Sequence, residues 1–245
     1  MQRFLLSDIS FEKNISICDV SIHHQLTRVL RVRVGDTVIF FDGKTLCDYL
    51  YLITSIDKTS LTCQYIKEIQ KYTDIKPEIH LYQGLPHKWE KIRYIIEKWV
   101  EVWYRSFTFF PTQHSQNSIL SDNKMQRFQK IAQEAVEQCG GNIMPDIQWR
   151  QENIITAPQK QSLDDNVYFF HTSWDTMKQL ADIKYHNNQD IHIYVWPEWW
   201  FSLSEVDIMQ QKGYTGVYLW SRIFRCETVS SIVWFYMKQC ILYKK

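Results

Sequence analysis

The alternation of strand-like and helix-like segments beyond residue 77 constrains the fold more than any other feature of this chain. Short apolar runs such as "EIHLYQG" and "DIHIYV" are separated by segments whose apolar residues recur at helical spacing. In the segment 90–103, for example, Ile92, Ile95 and Trp99 fall on one helical face. Strands that alternate with helices pair in parallel, because each helix returns the chain across the sheet. The pattern therefore predicts an α/β fold with a mainly parallel sheet.

Residues 1–70 follow a different pattern, with short alternating strands and tight turns. Polar and apolar residues alternate at 31–34 and 36–40, and the dipeptides Gly35-Asp36 and Asp42-Gly43 are typical turn formers. This pattern predicts a small β-barrel domain at residues 1–70. The polar, proline-terminated segment 71–77 would lead into a second domain, which we place at residues 71–245.

Charge, cysteine content and hydropathy narrow the class of protein. The formal net charge is +1, so any nucleic-acid site has to be a local basic patch. The six cysteines form no CxxC pair and no Cys/His cluster at zinc spacing, which favours reduced thiols in a cytoplasmic protein without a metal site. The chain shows neither a signal peptide nor an apolar run of about 18 residues, the length that indicates a membrane span. We therefore expect no membrane association.

Two strand–loop–helix junctions near the C-terminus are the best candidates for a ligand site. In the first, an apolar strand at 191–195 runs into the loop 196–201, and a helix follows with Ser202 and Glu205 spaced as a capping box. The second junction, "YLWSRIFRCETVSS" at 218–231, has the same arrangement. In open parallel sheets, ligands bind outside the carboxyl ends of the strands. We therefore expect the two loops to lie side by side and to form one site.

A basic segment near the N-terminus is a candidate RNA contact. It contains two histidines and three arginines, residue types that bind bases and phosphates: His23, His24, Arg28, Arg31 and Arg33. The alternative is a solvated basic face without a ligand. A solvated face is likewise the ordinary explanation of Glu134 and Glu137, which lie on adjacent turns of a predicted helix.

Five stretches, in this order along the chain, resemble one protein family. They are "HHQLTRVLRVRVGD" at 23–36, "LPHKWEK" with the helix that follows it at 85–103, "IAQEAVEQCG" at 131–140, "WPEWWFS" at 196–202 and "LWSRIFRCETV" at 219–229. The resemblance is to the bacterial 16S ribosomal RNA uridine-N3-methyltransferases of the RsmE type, which belong to the SPOUT superfamily. It covers nearly the whole chain, and the last two motifs together are highly specific for the family.

The resemblance implies a fold, a reaction and a set of partners. The fold would be a PUA-like β-barrel followed by a SPOUT methyltransferase domain with a trefoil knot. The reaction would transfer a methyl group from S-adenosylmethionine to N3 of one uridine in 16S rRNA of the small ribosomal subunit. The enzyme would act as a homodimer and without a metal. Main-chain groups of the two C-terminal loops would bind the cofactor: Trp196, Pro197, Glu198, Trp199 and Trp200 in the first, and Leu219, Trp220, Ser221, Ile223, Phe224 and Arg225 in the second.

The chemistry of that reaction suggests roles for charged residues in the two loops. Uracil N3 is an imide N–H and a poor nucleophile until it loses its proton. A base, or cationic groups near the two carbonyl oxygens, must therefore act in the transition state. Arg222 and Arg225 are our candidates for this electrostatic stabilisation, and Glu198 and Glu227 would orient them. The predicted catalytic residues are Arg225, Arg222 and Glu198, and the sequence identifies no general base.

The main departure from the family pattern is tryptophan in place of glycine. Tryptophan stands at six glycine positions of the motifs: Trp89, Trp103, Trp196, Trp199, Trp200 and Trp220. The chain has 7 glycines and 10 tryptophans, whereas glycine is roughly 7% of an average protein. Some bacteria read the UGA codon as glycine, and common alternative codes read it as tryptophan. We hypothesise that the cell inserts glycine here, because a cofactor that contacts bare backbone leaves no room for indoles.

Two alternatives stay open. If the tryptophans are literal, the chain is a relative that binds RNA without catalysis. A methyltransferase of the same superfamily that acts on another RNA is disfavoured, since the barrel and the motif at 131–140 match this family. A smaller departure is His114, which stands where the family has arginine and argues against an RNA or phosphate contact at that position.

Overall fold

The computed structural model describes residues 2–6, 11–70, 76–115, 120–156, 166–171, 177–183, 189–219 and 224–242. The chain divides into two compact units. The first is Met1–Asp74 together with Val136–Met144, and the second is Ile75–Ala135 together with Pro145–Lys245. The sequence predicts a single boundary at residue 70. In the structure, the segment 136–144 also packs with the N-terminal unit.

A five-stranded mixed sheet forms the first unit. Its strands are β1 (Arg3–Leu5), β2 (Asn14–Ile17), β3 (Thr37–Phe41), β4 (Cys47–Ile56) and β5 (Leu61–Gln70), in the spatial order β1-β3-β4-β5-β2. Of the described pairs, β1–β3 is parallel and the others are antiparallel. A short helix, α1 (Val20–His24), continues into a π-helical turn at Gln25–Val29. Phe4, Leu26, Phe40, Tyr51 and Ile53 belong to the apolar core, as expected for a small barrel-like β domain.

Buried polar contacts hold the segment 136–144 in the first unit. Glu137 Oε1 accepts the amide N–H of Leu5 at 3.0 Å, so the interpretation of Glu137 as part of a solvated face is wrong. Arg3 and Asp48 form a buried ion pair with an N–O distance of 2.6 Å. The side-chain amide of Asn142 donates to the same carboxylate, also at 2.6 Å. Glu137 and Asn142 therefore attach this segment to β1 and β4.

A seven-stranded parallel sheet forms the second unit and confirms the predicted α/β class. Its strands are β6 (Ile79–Gly84), β7 (Ser106–Phe110), β8 (Asp146–Trp149), β9 (Asn166–His171), β10 (Lys178–Gln179), β11 (Ile191–Val195) and β12 (Thr215–Tyr218). The helices are α2 (Trp89–Glu101), α3 (Asp122–Cys139), α4 (Leu203–Gln211) and α5 (Cys226–Leu242). The spatial order of the strands is β10-β12-β9-β11-β6-β7-β8. Within the described residues, no helix has the length and apolar character to cross a membrane.

The strand order corrects one detail of the predicted site. The two C-terminal junctions follow β11 and β12, and β9 lies between these strands. The loops are therefore not on adjacent strands, as the sequence analysis expected, but on either side of the end of β9. All three strands run parallel, so their carboxyl ends still share one edge of the sheet.

The end of α2 places a tryptophan in a left-handed backbone conformation. The buried face of α2 is the predicted one, with Ile92, Ile95 and Trp99 inside. The helix ends at Glu101, and Trp103 then has a φ of 64°. A left-handed backbone costs a residue with a Cβ atom about 1–2 kcal/mol, and glycine is the usual residue just after a helix. This geometry supports glycine at position 103 independently of any sequence motif.

We expect the Trp103→Gly variant to be more stable than Trp103→Ala by about 1 kcal/mol. Inside a helix the order is reversed, and alanine is the more stable by a similar amount, about 1 kcal/mol. Both variants lose the indole and its contact with Lys238, so their difference reports on the backbone alone. Urea denaturation measures the two free energies of unfolding. An alanine variant that is equal or more stable would contradict a glycine site at 103.

Candidate functional site

The first junction folds as the sequence predicts. β11 ends at the buried Val195, and Ser202 caps α4 in a reciprocal capping box with Glu205. Between them, the Trp196 ring packs 4.9 Å from the Trp200 ring. Trp196 is 3% exposed, whereas Trp199 is 60% exposed. The indoles therefore form both the floor and the rim of this loop.

The end of β6 fixes the start of the same loop. The buried amide of Gln83 donates to the carbonyl of Trp196 at 2.7 Å and to that of Gly84 at 2.8 Å. A Cβ atom at Gly84 would lie 2.5 Å from Pro197 Cδ, so only glycine allows this close packing. Pro197 is thus a buried packing residue at the base of the loop.

A pocket of about 470 Å³ lies at this carboxyl edge of the sheet. It is lined by parts of both C-terminal loops, by the segment before α2 and by the first residues of α2 and α5: His87, Lys88, Lys91, Trp196, Glu198, Trp199, Trp200, Phe224, Arg225 and Cys226. Six of the predicted cofactor-binding residues are among them, whereas Pro197 and Leu219 are not. Trp220, Ser221, Arg222 and Ile223, which the sequence analysis also assigned to this site, lie outside the described residues.

Glu198 has partners that differ from the predicted ones. Both of its carboxylate oxygens accept the amide N–H of His87, at 3.0 and 2.9 Å, and Lys91 Nζ lies 3.2 Å away. Burial raises the pKa of this carboxyl, but the His87 and Lys91 contacts outweigh it and leave the pKa below its usual value. The anion therefore fastens the segment before α2 and the first turn of that helix to the loop 196–201, which we call the cofactor loop after its predicted role. Arg222, one of the two arginines that Glu198 is predicted to orient, lies outside the described residues.

Arg225 lies at the start of α5 with an exposed side chain. Its carbonyl accepts the amide N–H of Thr228 at 2.9 Å, which places it at the N-terminal end of the helix, where the helix dipole is positive. Its neighbour Cys226 is 2% exposed, and burial raises the pKa of the thiol well above its usual range. Cys226 donates to Glu227 at 3.2 Å. Within the described part of this loop, Arg225 is a charged residue that lines the pocket, and Cys226 is an unreactive wall residue.

The loop after β7 holds residues that the sequence analysis did not assign to the site. The ring nitrogen Nδ1 of His114 lies 2.9 Å from the carbonyl oxygen of Trp200. The Gln113 amide N–H donates to Glu205 Oε1 at 2.9 Å. His87, Lys88 and the residues at 113–114 were therefore missed as site residues. Two signals in the sequence pointed to them: the polar residues of "LPHK", which do not belong to the buried face of α2, and His114, which departs from the family pattern.

The predicted RNA-binding residues lie in the first unit. Arg28, Arg31 and Arg33 are exposed and form no ion pair with a described residue. His24 is also exposed, whereas the His23 ring lies 2.9 Å from the Asp57 carbonyl oxygen. Free guanidinium groups are available to phosphates, so the three arginines and His24 stay candidates and His23 has a structural partner.

One cluster of described residues has the composition of a metal site. Glu78, His80 and Asp190 hold ligand atoms within 4.8 Å of one another, at the amino ends of β6 and β11. Lys76 Nζ lies 2.6 Å from Glu78 Oε1, and Arg105 Nε lies 3.5 Å from Glu78 Oε2. These cations already balance the carboxylates, and the cluster lies at the sheet edge opposite the pocket. We assign it to the stability of the strand ends.

Comparisons with known proteins agree with this arrangement. The family model of the RNA methyltransferase domain matches residues 74–237. Ribosomal RNA small subunit methyltransferase E of Buchnera aphidicola is 32% identical over 213 residues, which are 85% of this chain and 81% of the relative. Ribosomal RNA small subunit methyltransferase E 2 of Borreliella burgdorferi is 26% identical over 235 residues, 93% of each chain.

A solved structure shares the whole fold. The crystal structure of Ribosomal RNA small subunit methyltransferase E from Neisseria gonorrhoeae, bound to S-adenosyl methionine, superposes with a TM-score of 0.84. It is 22% identical, and the match covers 98% of each chain. The predicted fold, an α/β domain with a parallel sheet preceded by a small barrel-like β domain, is thereby confirmed; the trefoil knot and the SPOUT superfamily stay predictions. The chain belongs to the RNA methyltransferase family that includes Ribosomal RNA small subunit methyltransferase E.

Proposed function

We propose that this protein transfers the methyl group of S-adenosylmethionine to N3 of a uridine in 16S rRNA. The observation that carries the proposal is the pocket at the carboxyl edge of the parallel sheet, which both C-terminal loops line. Its volume of about 470 Å³ lies in the range of small-molecule sites. Family membership supplies the reaction and the RNA substrate. We place this activity in the cytoplasm, on the small ribosomal subunit.

Different residues around the pocket would bind the cofactor, stabilise the transition state and contact the RNA. Main-chain groups of the loop 196–201 would hold the cofactor, and Glu198 keeps the His87 segment beside it. Bound S-adenosylmethionine supplies an electrophilic methyl group. Arg225, next to the positive end of α5, would stabilise the negative charge that grows on the uracil oxygens as N3 loses its proton. Lys88, exposed at the pocket rim, is placed to contact an RNA phosphate.

The direct test uses the chain with glycine at positions 196, 199, 200 and 220, tritiated S-adenosylmethionine and small subunits from a strain that lacks the modification. We expect label in 16S rRNA and none in 23S rRNA from the same cells. The chain as printed, with tryptophan at these positions, serves as the comparison. A glycine protein that binds the cofactor but labels neither RNA would refute the proposed substrate.

We propose that the exposed arginines of the first unit grip the RNA backbone. Replacing Arg28, Arg31 and Arg33 by glutamine should weaken binding to small-subunit RNA and flatten its salt dependence. Each lost phosphate contact lowers the slope of log K against log salt by about 0.7–0.9, so the triple variant should lose roughly two units. Filter binding at several salt concentrations measures the slope.

The control for the arginine variant removes the same charge elsewhere in the first unit. Lys13, Lys58 and Lys67 are exposed, and their replacement by glutamine should leave most of the slope intact. If both triple variants change the slope equally, the arginines act only through net charge. The solvated-face interpretation would then be correct.

We also propose that the enzyme is a homodimer that uses α5. This helix carries Phe235 with 61% of its surface exposed, in a segment whose residues from 229 to 237 are uncharged. An exposed aromatic residue on an apolar helix is typical of an interface. Sedimentation should give a dimer for the chain and a monomer for Phe235→Glu. A monomeric parent chain would contradict the proposal.

A further inference from the structure

A buried carboxylate lies at the C-terminal end of the cofactor loop, and none of the described residues places a cation beside it. Glu205 is 1% exposed. Its Oε2 accepts the amide N–H of Ser202 at 2.8 Å and the Ser202 hydroxyl at 3.1 Å. Its Oε1 accepts the Gln113 amide N–H at 2.9 Å and the Asn153 side-chain amide at 2.6 Å. No described Lys, Arg or His lies within ion-pair distance, so neutral donors and the positive end of α4 hold this charge.

The contacts of Glu205 go beyond those of a helix cap. A capping box needs only the reciprocal bonds between Ser202 and Glu205. The bonds to Gln113 and Asn153 reach two other loops, one after β7 and one after β8. Ser202 ends the loop that follows β11. One buried side chain therefore connects the loops at the carboxyl ends of three strands.

Two histidines contact the same loop at the two residues just before Ser202. His114 Nδ1 lies 2.9 Å from the Trp200 carbonyl oxygen, the distance of an N–H···O hydrogen bond. His171, at the end of β9, hydrogen-bonds the backbone of Phe201. These contacts involve main-chain atoms of residues 200 and 201, so they do not depend on whether position 200 is tryptophan or glycine. The C-terminal half of the cofactor loop is thus held at three successive residues.

We infer that Glu205 is a positioning residue that fixes the cofactor loop in its binding conformation before S-adenosylmethionine binds. The exposed His114 supports the same conformation through its contact with the Trp200 carbonyl. The inference rests on the proposed function for the identity of the ligand. A loop that is already ordered loses less conformational freedom on binding, which increases affinity without a new contact. Loss of Glu205 should therefore weaken cofactor binding more than it slows methyl transfer at saturating cofactor.

The first test is Glu205→Gln, which keeps the size of the side chain but replaces one acceptor oxygen by an NH₂ group. Without cofactor, the amide of either Ser202 or Gln113 should exchange with deuterium about tenfold faster, because each contacts a different carboxylate oxygen and glutamine keeps only one of them. Asp207→Asn is the matched control, since Asp207 is exposed on the same helix. It should leave both exchange rates unchanged. Equal rates in Glu205→Gln and the parent would reduce Glu205 to a simple cap.

The second test measures function in the glycine protein. Glu205→Gln should raise the Kd for S-adenosylmethionine about tenfold and leave kcat within about twofold. Should Glu205→Gln fail to fold, variants of the exposed His114 test whether the ordered loop increases cofactor affinity. His114→Ala should weaken cofactor binding, and His114→Asn, whose amide nitrogen replaces Nδ1, should restore it. Loss of kcat at an unchanged Kd would overturn the inference.

The two proposals fail in different ways. If the parent glycine protein binds no cofactor while Glu205→Gln still accelerates exchange at Ser202 or Gln113, the proposed function is wrong and the structural role of Glu205 stands. If the parent binds and methylates but Glu205→Gln changes neither exchange nor Kd, the function stands and the inference is wrong.

Discussion

Replacing Trp196, Trp199, Trp200 and Trp220 by glycine is expected to tighten binding of S-adenosylmethionine by about a hundredfold or more. The pocket has room for a ligand, but indole rings form its walls at positions 196, 199 and 200. An indole buries about 150–250 Å² of contact surface, so at these positions it would crowd a cofactor that has to contact the main chain. Glycine exposes those groups and permits left-handed turns that tryptophan resists. Calorimetry on the two proteins measures the difference.

A tryptophan outside the pocket provides the control. Trp149 ends β8, three positions from β11 in the sheet, and its buried indole N–H has no acceptor among the described residues. Trp149→Phe should therefore leave the cofactor Kd unchanged. If the chain as printed already binds as tightly as the glycine protein, our account of the loop is wrong.

The coding sequence tests the same hypothesis without protein. The codons for Trp196, Trp199, Trp200 and Trp220 should be UGA, the codon that some bacteria read as glycine. UGG codons at these positions would make the tryptophans literal. The interpretation of the chain as an RNA-binding relative without catalysis would then be favoured.

The second large effect is expected for Arg225→Ala in the glycine protein. Its kcat should fall by about 10²–10³, the usual consequence of removing one donor that stabilises a developing oxyanion. Its cofactor Kd should change by less than about threefold, because the arginine would act on the uracil rather than on the cofactor. Single-turnover transfer of tritiated methyl groups and calorimetry measure the two quantities separately.

Arg225→Lys is the matched variant, since it keeps the charge but loses the planar pair of donors. We expect its rate to lie between those of the parent and the alanine variant. A cofactor Kd that rises as much as kcat falls would assign Arg225 to cofactor binding. An unchanged kcat would leave Arg222, outside the described residues, as the candidate for this role.

Periodicity and composition were sufficient to predict the fold class. The alternation beyond residue 77 predicts a parallel sheet, because strands such as Ile191–Val195 are mostly apolar and buried and helices such as Trp89–Glu101 have one apolar face. Strand order was beyond the reach of the sequence. The position of β9 between β11 and β12 depends on contacts between residues far apart in the chain, which local patterns do not encode.

In the site, too, the sequence predicts local features but not contacts between residues far apart in the chain. The capping box at Ser202 is local, and the sequence predicts it. Glu198, by contrast, has described partners at His87 and Lys91, more than 100 positions away, so motif position alone did not reveal them. Glu137 was misjudged for the same reason, because its acceptor role toward Leu5 is a contact across the chain. Polar residues whose partners are distant are the ones that a single sequence assigns least well.

Nucleoside analysis of the methylated RNA tests the central claim most directly. After reaction of the glycine protein with unmodified small subunits, 16S rRNA would be digested to nucleosides and separated by chromatography and mass spectrometry. Our account predicts 3-methyluridine as the labelled product, with Arg225→Ala forming the same nucleoside more slowly. Label in a ribose-methylated nucleoside, in 5-methyluridine or in a purine would contradict methyl transfer to uridine N3.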